Sequence, residues 1–89
     1  MTPHEARAIA EAGFAHIAAD PDLAGALLAQ SGSDVAGLRA MAARSEFAVF
    51  VLDFLLEQDR RVLDFAEASG MAPQRLLMAR AVLGGGDPW

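Results

Sequence analysis

The sequence predicts an all-α protein, a compact bundle of about six short helices. Three observations support this prediction. Alanine is abundant, tyrosine is absent and β-branched residues are few, a composition that favours helices over strands. No segment alternates apolar and polar residues with the period of a strand, whereas several segments place apolar residues at helical spacing. A chain of 89 residues has room for one hydrophobic core.

The chain is acidic, with a formal net charge of −5 at pH 7. This charge disfavours a general nucleic-acid or anionic-membrane surface. The charges are unevenly placed, because residues 1–57 hold three arginines against eight acidic residues and residues 58–83 hold four against three. Any contact with a polyanion would therefore use the C-terminal part.

Several classes of site and location are excluded or disfavoured by composition. Without cysteine, the chain has no disulfide, thiolate metal site or cysteine nucleophile. The first residues lack the order of a secretory signal peptide, and the longest apolar run is shorter than the about 20 residues that a membrane span needs. We therefore expect a soluble cytoplasmic protein without membrane association.

The first two helices are predicted from their capping residues. Thr2-Pro3-His4-Glu5 is a capping-box pattern, which predicts that helix 1 begins at Pro3. Asp20-Pro21 predicts the end of helix 1 and the start of helix 2, because the residue before proline avoids the α region and Asp is a good N-cap. Helix 2 should run to about Gln30, with Gly32 as its left-handed C-terminal residue. The expected inward residues of both helices are Ile9, Ala10, Gly13, Phe14, Ile17, Ala18, Leu23, Leu27 and Leu28.

Helices 3 and 4 are predicted in the middle of the chain. Asp34 can cap helix 3, from Val35 to about Ala43, although Gly37 lowers its helix propensity. Ser45 is predicted to cap helix 4, which contains the most apolar stretch, Phe47 to Leu56. A helix that is apolar nearly all round is typical of the centre of a fold. The expected inward residues of helix 3 are Val35, Leu38, Met41 and Ala42.

The segment after Leu56 allows two interpretations. One helix could run from Glu46 to Ser69, with a continuous polar stripe from Asp53 to Asp64. Alternatively, Asp59 caps a separate helix 5 that begins at Arg60. In both cases Gly70 ends the helix. The residues that this segment would bury, in some combination, are Val62, Leu63, Phe65 and Ala66.

Pro73 is predicted to open helix 6, which runs to about Leu83. The residues expected to define the sides of this helix are Leu76, Leu77, Ala79 or Arg80, and Leu83. Residues 1–83 are thus predicted to form a single helical domain. Residues 84–89, which begin with three glycines and end with Trp89, are predicted to be a flexible tail.

An internal repeat favours separate helices 4 and 5. A shift of 38 residues aligns Asp20-Pro21 with Gln58-Asp59 and Ser31-Gly32 with Ser69-Gly70. The N-cap residues, the Ser-Gly pairs that end helices and the inward apolar positions all recur at this same spacing. We therefore hypothesise two pseudo-repeated three-helix units, in which helices 1 and 4 are equivalent and pack near one another.

The chain also resembles a known family. The motifs that carry the resemblance are LDFLL (Leu52 to Leu56), LDFAEASG (Leu63 to Gly70), APQRL (Ala72 to Leu76), FAHIAADP (Phe14 to Pro21) and SGSD (Ser31 to Asp34). On these motifs, over nearly its whole length, it is similar to the small bacterial proteins grouped as domain of unknown function 3572. The resemblance implies no activity, cofactor or catalytic residue. The chain departs from the family pattern at Val35 and Gly37, where proline and a helix former are more usual, which predicts a frayed helix 3.

The two histidines, His4 and His16, do not form a predicted metal site. They are twelve residues apart on helix 1, which corresponds to about 18 Å along the axis, too far to share a metal ion. We expect structural or solvent roles for both, and predict no metal, no cofactor and no catalytic residue.

Asp53 interrupts the apolar helix 4 and allows two interpretations. It can lie on one exposed edge of the helix together with Glu57. Alternatively it is a buried polar group that requires an arginine partner, for which Arg39, Arg60 and Arg61 are the candidates. One acid without a second acid, base or nucleophile makes no mechanism, so we do not expect an enzyme.

Residues 62–83 contain a pattern with helix-turn-helix spacing. Ala66 and Gly70-Met71 are followed by Leu76 and Ala79 at the intervals that this motif uses. In that interpretation the nucleic-acid contacts would be Gln74, Arg75 and Arg80. Any tight corner between two helices needs the same small residue and glycine, so the pattern has low specificity.

The function we expect is that of a small acidic protein-protein interaction or adaptor module, whose partner is another protein or a second copy. The alternative is a DNA-binding regulator that uses residues 62–83. Met41, Met71 and Met78 could form a soft contact surface, but methionines at helical spacing more often fill gaps in a core.

Overall fold

The computed structural model describes residues 1–32, 34–42 and 45–84, which form six α-helices. These are α1 (Pro3–Ala18), α2 (Pro21–Ser31), α3 (Val35–Ala42), α4 (Ser45–Leu56), α5 (Asp59–Ser69) and α6 (Gln74–Leu83). No strand occurs within the described ranges, and the all-α prediction is confirmed. The Cα radius of gyration is 12.3 Å, close to the roughly 12 Å expected of a compact domain of this length.

Three predicted N-caps are formed by side chains. The Thr2 hydroxyl accepts a hydrogen bond from the backbone N–H of Glu5 at 3.1 Å. The carboxylates of Asp20 and Asp34 accept from first-turn N–H groups of α2 and α3 at 2.9 Å and 2.8 Å. These N–H groups have no acceptor within their own helix, so the side chains fix where the helices begin.

Helices α4 and α5 are separate, but the predicted start of α5 is wrong by one residue. Gln58 is extended (φ −134°, ψ 130°) and occupies the N-cap position, so Asp59 is the first helical residue and not the cap. The reason is that the carbonyl of Gln58 accepts the first hydrogen bonds of the helix. Pro73 likewise occupies the N-cap position of α6, and Gln74 is the first helical residue.

The two predicted glycine stops are confirmed. Gly32 and Gly70 follow α2 and α5 in the left-handed conformation, with φ of 69° and 72°, which glycine adopts without steric cost. The hydroxyls of Ser31 and Ser69 donate to carbonyl oxygens of the preceding turn at 2.8 Å and 2.7 Å. Both Ser-Gly pairs therefore end their helices in a similar way.

The core is built on α4 together with α1. Helix α4 packs against α1, α3, α5 and α6, and α1 packs against α2, α4, α5 and α6. The predicted central helix is thus central, but it shares that position with α1. The buried apolar residues are Ala6, Ile9, Ala10, Ile17, Leu27, Phe47, Val51, Leu52, Phe54, Leu55, Phe65, Leu76 and Ala79.

Helices α1 and α4 cross closely at Gly13. A Cβ atom at this position would lie 2.9 Å from Leu55 Cδ1 and 3.5 Å from Val51 Cγ1. The absence of a side chain therefore allows the two helices to approach. The expected contact between helices 1 and 4 is present, while duplication of a three-helix unit stays a prediction.

Several expected inward residues lie further out than predicted. Phe14 is half-buried and packs edge-on against Phe47, with ring centroids 5.0 Å apart. Ala18, the last residue of α1, is exposed, and Leu63 is 58% exposed. Leu63 precedes the buried Phe65 by two residues, and successive helical residues are about 100° apart, so the two side chains point in nearly opposite directions.

Some expectations fall outside the described residues. They concern the side chains of Val35, Leu38 and Ala42, the cap at Ser45, and the tail beyond Gly84. Gly84 itself donates its N–H to the carbonyl oxygen of Arg80 at 2.9 Å and so closes the last turn of α6.

Candidate interaction surface

Helix α6 has one buried side and one exposed apolar side. Leu76 and Ala79 are 1% and 0% exposed, whereas Leu77 and Met78 are 60% and 48% exposed. Leu76 points into the core, and Leu77, about 100° further round the helix, points to the surface. The apolar run of α6 is therefore divided between core and surface.

We call the exposed side of this helix, formed by Gln74, Leu77, Met78 and Ala81, the α6 face. All four residues are exposed, and they are neighbours because residues three and four apart adjoin on a helix surface. Helix α6 contains no acidic residue, although the chain carries a net charge of −5. The α6 face is thus a small apolar surface without negative charge in an acidic protein.

Asp53 lies at the surface of α4, so the interpretation as a buried polar group is wrong. Its side chain is 50% exposed, and Arg80 Nε approaches its Oδ1 at 2.5 Å. A carboxylate keeps contact with water where it can, because burying its charge is costly. The partner comes from α6 and is none of the three expected arginines. Glu57, at the same edge of the protein, is also exposed and accepts a hydrogen bond from the side-chain amide of Gln30.

Two further arginines of the C-terminal part are engaged within the protein. Arg61 Nη1 donates to the carbonyl oxygen of Phe54 at 2.9 Å, and the guanidinium lies over the Phe54 ring, 3.9 Å from its centroid. Arg60 Nε lies 3.9 Å from Asp64 Oδ2 one turn away in α5. Arg61 and Arg80 are thus held within the protein, whereas Arg60 is 90% exposed and makes only a long contact with Asp64.

Arg75 differs from the other three. It is exposed, and its guanidinium forms no ion pair or hydrogen bond with any residue in the part of the chain that the structure describes. It lies in the first turn of α6, where the positive end of the helix dipole is unfavourable for a cation. Arg75 is therefore available for an interaction outside the chain.

The residues predicted to contact nucleic acid do not share one side of α6. Gln74 and Arg75 are exposed, whereas Arg80 is half-buried and turns towards Asp53 in α4. The corner before α6 has the predicted form, since Gly70 is left-handed and Leu76 and Ala79 face the core. Of the three predicted contacts, only Arg75 offers a free cation, and nucleic-acid binding stays a prediction.

The histidines have different surroundings. His4 is exposed, while His16 is half-buried and packs edge-on against Phe65, with ring centroids 5.4 Å apart. This contact joins α1 to α5. Among the residues that the structure describes, no three His, Cys, Asp or Glu side chains are grouped so that they could hold a metal ion.

The methionines divide between core and surface. Met41 and Met71 are partly buried against the core, as expected of gap-filling residues, but Met78 is exposed. In the fold, the inward side of α6 is formed by Leu76 and Ala79. Apolar residues off that side then remain for the surface.

Six helices around one core, with an apolar face left open on the last of them, define a small all-α protein with a candidate interaction surface. None of the helices described here has the length and hydropathy to cross a membrane. The family model described as "Protein of unknown function (DUF3572)" matches residues 3–86, and the chain belongs to this family. No curated protein and no solved structure matches the chain.

Proposed function

We propose that the protein is a non-enzymatic interaction module that binds a protein partner, or a second copy of itself, through the α6 face. The observation that carries this proposal is the adjacency of Leu77 and Met78, 60% and 48% exposed on one side of one helix. Apolar residues exposed singly are ordinary, whereas large contiguous apolar patches mark contact surfaces, and Leu77 and Met78 are the large residues of such a patch on α6. Removal of apolar surface from water is favourable by about 25 cal/mol per Å² before the entropic costs of association are subtracted.

The arginine contacts favour a protein partner over DNA. DNA binding depends on several cations that replace the counterions of the phosphates. On α5 and α6, Arg60 and Arg80 are paired with carboxylates and Arg61 is held against Phe54. The net charge of −5 adds a general repulsion from a polyanion. The α6 face, in contrast, is apolar and lacks acidic residues, so it suits contact with an apolar surface of another protein.

A capture experiment with matched variants tests the proposal. Tagged wild-type protein, Leu77→Glu and Leu63→Glu are incubated with extract of the native host, and retained proteins are identified by mass spectrometry. Leu63 is the matched control, since it is 58% exposed and helical but stands among charged residues of α5. We expect the same proteins to be retained by wild type and Leu63→Glu and lost with Leu77→Glu. Retention that Leu77→Glu leaves unchanged would refute the proposal.

The DNA-binding alternative is addressed by direct titration with duplex DNA at two salt concentrations. Our proposal predicts no binding beyond that of an unrelated acidic protein. The alternative predicts binding that falls steeply from about 50 mM to about 200 mM salt and is lost in Arg75→Glu. Capture that loses nucleic acid, but not protein partners, in Arg75→Glu would likewise favour the alternative.

A further inference from the structure

We infer that the partner of the α6 face is a second copy of this chain, bound so that the two α6 helices pack antiparallel. The two-fold axis of this pair passes between Leu77 and Met78. The inference rests on the proposed function, because it uses the same face, and it adds the identity of the partner and the geometry of the contact.

The α6 face is complementary to itself in an antiparallel arrangement. Leu77 of one copy faces Met78 of the other, and Gln74 faces Ala81, with every contact made twice around the axis. The two exposed large apolar residues of this helix then lie at the centre of the contact. The small and polar residues lie at its ends, which is the usual distribution of a buried apolar centre and a polar rim.

The free charge of Arg75 supports the antiparallel direction. In its own helix the guanidinium lies near the positive end of the dipole, and it has no partner among the described residues. In the antiparallel pair it lies level with Arg80 of the second copy, whose charge Asp53 balances. It is then within about one turn of the C-terminal end of the other α6, where the dipole is negative and a cation is favourable. A parallel pair would instead bring the two Arg75 side chains together at two positive ends.

The charge distribution favours α6 over the preceding helix α5 as the contact. Two copies that each carry −5 repel one another at long range. Helix α5 adds Asp59, Asp64 and Glu67 to any interface, whereas α6 adds no acidic residue. The one cation on its inner side, Arg80, is neutralised by Asp53. Two copies therefore meet less repulsion along α6 than along α5.

The size of the contact predicts a weak dimer. Helix α6 has ten residues, or about 15 Å of helix. A pair of such helices buries less than the roughly 1,200–2,000 Å² of a standard stable interface. We therefore expect a dissociation constant between about 10 μM and about 1 mM.

Sedimentation equilibrium of the full chain, from about 10 μM to about 1 mM, tests whether the partner is a second copy. We expect dimers at the upper end, a dissociation constant raised about tenfold or more by Leu77→Glu, and no change with Leu63→Glu. Arg75→Glu should raise it about two- to fivefold without loss of helical circular dichroism. A monomer at every concentration, or equal effects of Leu77→Glu and Leu63→Glu, would overturn the inference.

Disulfide trapping tests the direction of the pair. The chain has no cysteine, so single variants Gln74→Cys and Ala81→Cys introduce the only thiols. An antiparallel pair predicts cross-linked dimers in an oxidised mixture of the two variants. Either variant alone should give little cross-linking, because the same residue in the two copies is about 10 Å apart along the axis. Cross-linking of each variant to itself would show a parallel pair and overturn the geometry. Ala68→Cys, on the exposed side of α5, measures the background of random collisions.

The inference and the proposed function can fail separately. If the protein stays monomeric while Leu77→Glu abolishes capture of a different protein, the inference is wrong and the proposed function stands. If neither dimerisation nor capture responds to Leu77→Glu, both are wrong.

Discussion

The guanidinium of Arg61 contacts Phe54 at two points. It lies 3.9 Å from the centroid of the phenyl ring, and its Nη1 atom donates a hydrogen bond to the Phe54 carbonyl oxygen at 2.9 Å. Phe54 belongs to the last turn of α4, whose carbonyls have no donor within the helix. One side chain from α5 therefore satisfies one carbonyl at the end of α4 and packs on the most buried phenyl ring of that helix.

Replacement of Arg61 by lysine should destabilise the fold. Lysine keeps the charge but lacks the planar group that stacks on the ring while it donates to the carbonyl. We expect the free energy of unfolding, measured with urea, to fall by about 1–2 kcal/mol. The neighbouring Arg60→Lys is the control and should change it by less than about 0.5 kcal/mol, since Arg60 is 90% exposed. Equal effects of the two variants would contradict this role of Arg61.

Phe54→Ala should cost about 3–5 kcal/mol of unfolding free energy, because the side chain is 0% exposed and its removal leaves a cavity. Chemical denaturation measures this loss. Phe50→Ala, at a half-buried position of the same helix, should cost clearly less. A loss below about 1 kcal/mol for Phe54→Ala would mean that the centre of the core lies elsewhere.

Features that depend on neighbouring residues could be predicted from the sequence. The caps at Thr2, Asp20 and Asp34 and the left-handed Gly32 and Gly70 follow from local chemistry, because first-turn N–H groups and positive φ angles make local demands. Such features also carried the resemblance to the family. They account for the agreement of the six helices with the predicted ones.

Features that depend on packing could not be predicted. The partner of Asp53 is Arg80, 27 residues away, and only the contact between α4 and α6 brings them together. The candidate surface was missed for a similar reason. Helix α6 is apolar on more than one side, and its sequence alone does not say whether Leu76 or Leu77 faces the core. That choice is made by the positions of α1 and α4.

The ion pair between Asp53 and Arg80 should contribute little to stability despite its short distance. Both side chains are partly exposed, 50% and 36%, so water screens the attraction. A double-mutant cycle with Asp53→Asn and Arg80→Gln should give a coupling energy of about 0.2–1 kcal/mol. Near 1 M salt the coupling should become smaller, since the screening length falls to about 3 Å. A coupling above about 2 kcal/mol that is insensitive to salt would indicate a pair shielded from water.

Gly13 and Gly25 should respond in opposite ways to alanine, although both lie within helices. At Gly25 a Cβ atom meets nothing within 4 Å, so Gly25→Ala should raise the unfolding free energy by about 0.5–1 kcal/mol through helix propensity alone. Gly13→Ala gains the same propensity but places its Cβ 2.9 Å from Leu55 Cδ1, and overpacking of a core costs about 1–3 kcal/mol. Gly13→Ala should therefore be the less stable of the two variants by about that amount in urea unfolding. If both variants were stabilised equally, Leu55 would have room to move, and the crossing of α1 and α4 would not depend on the missing side chain.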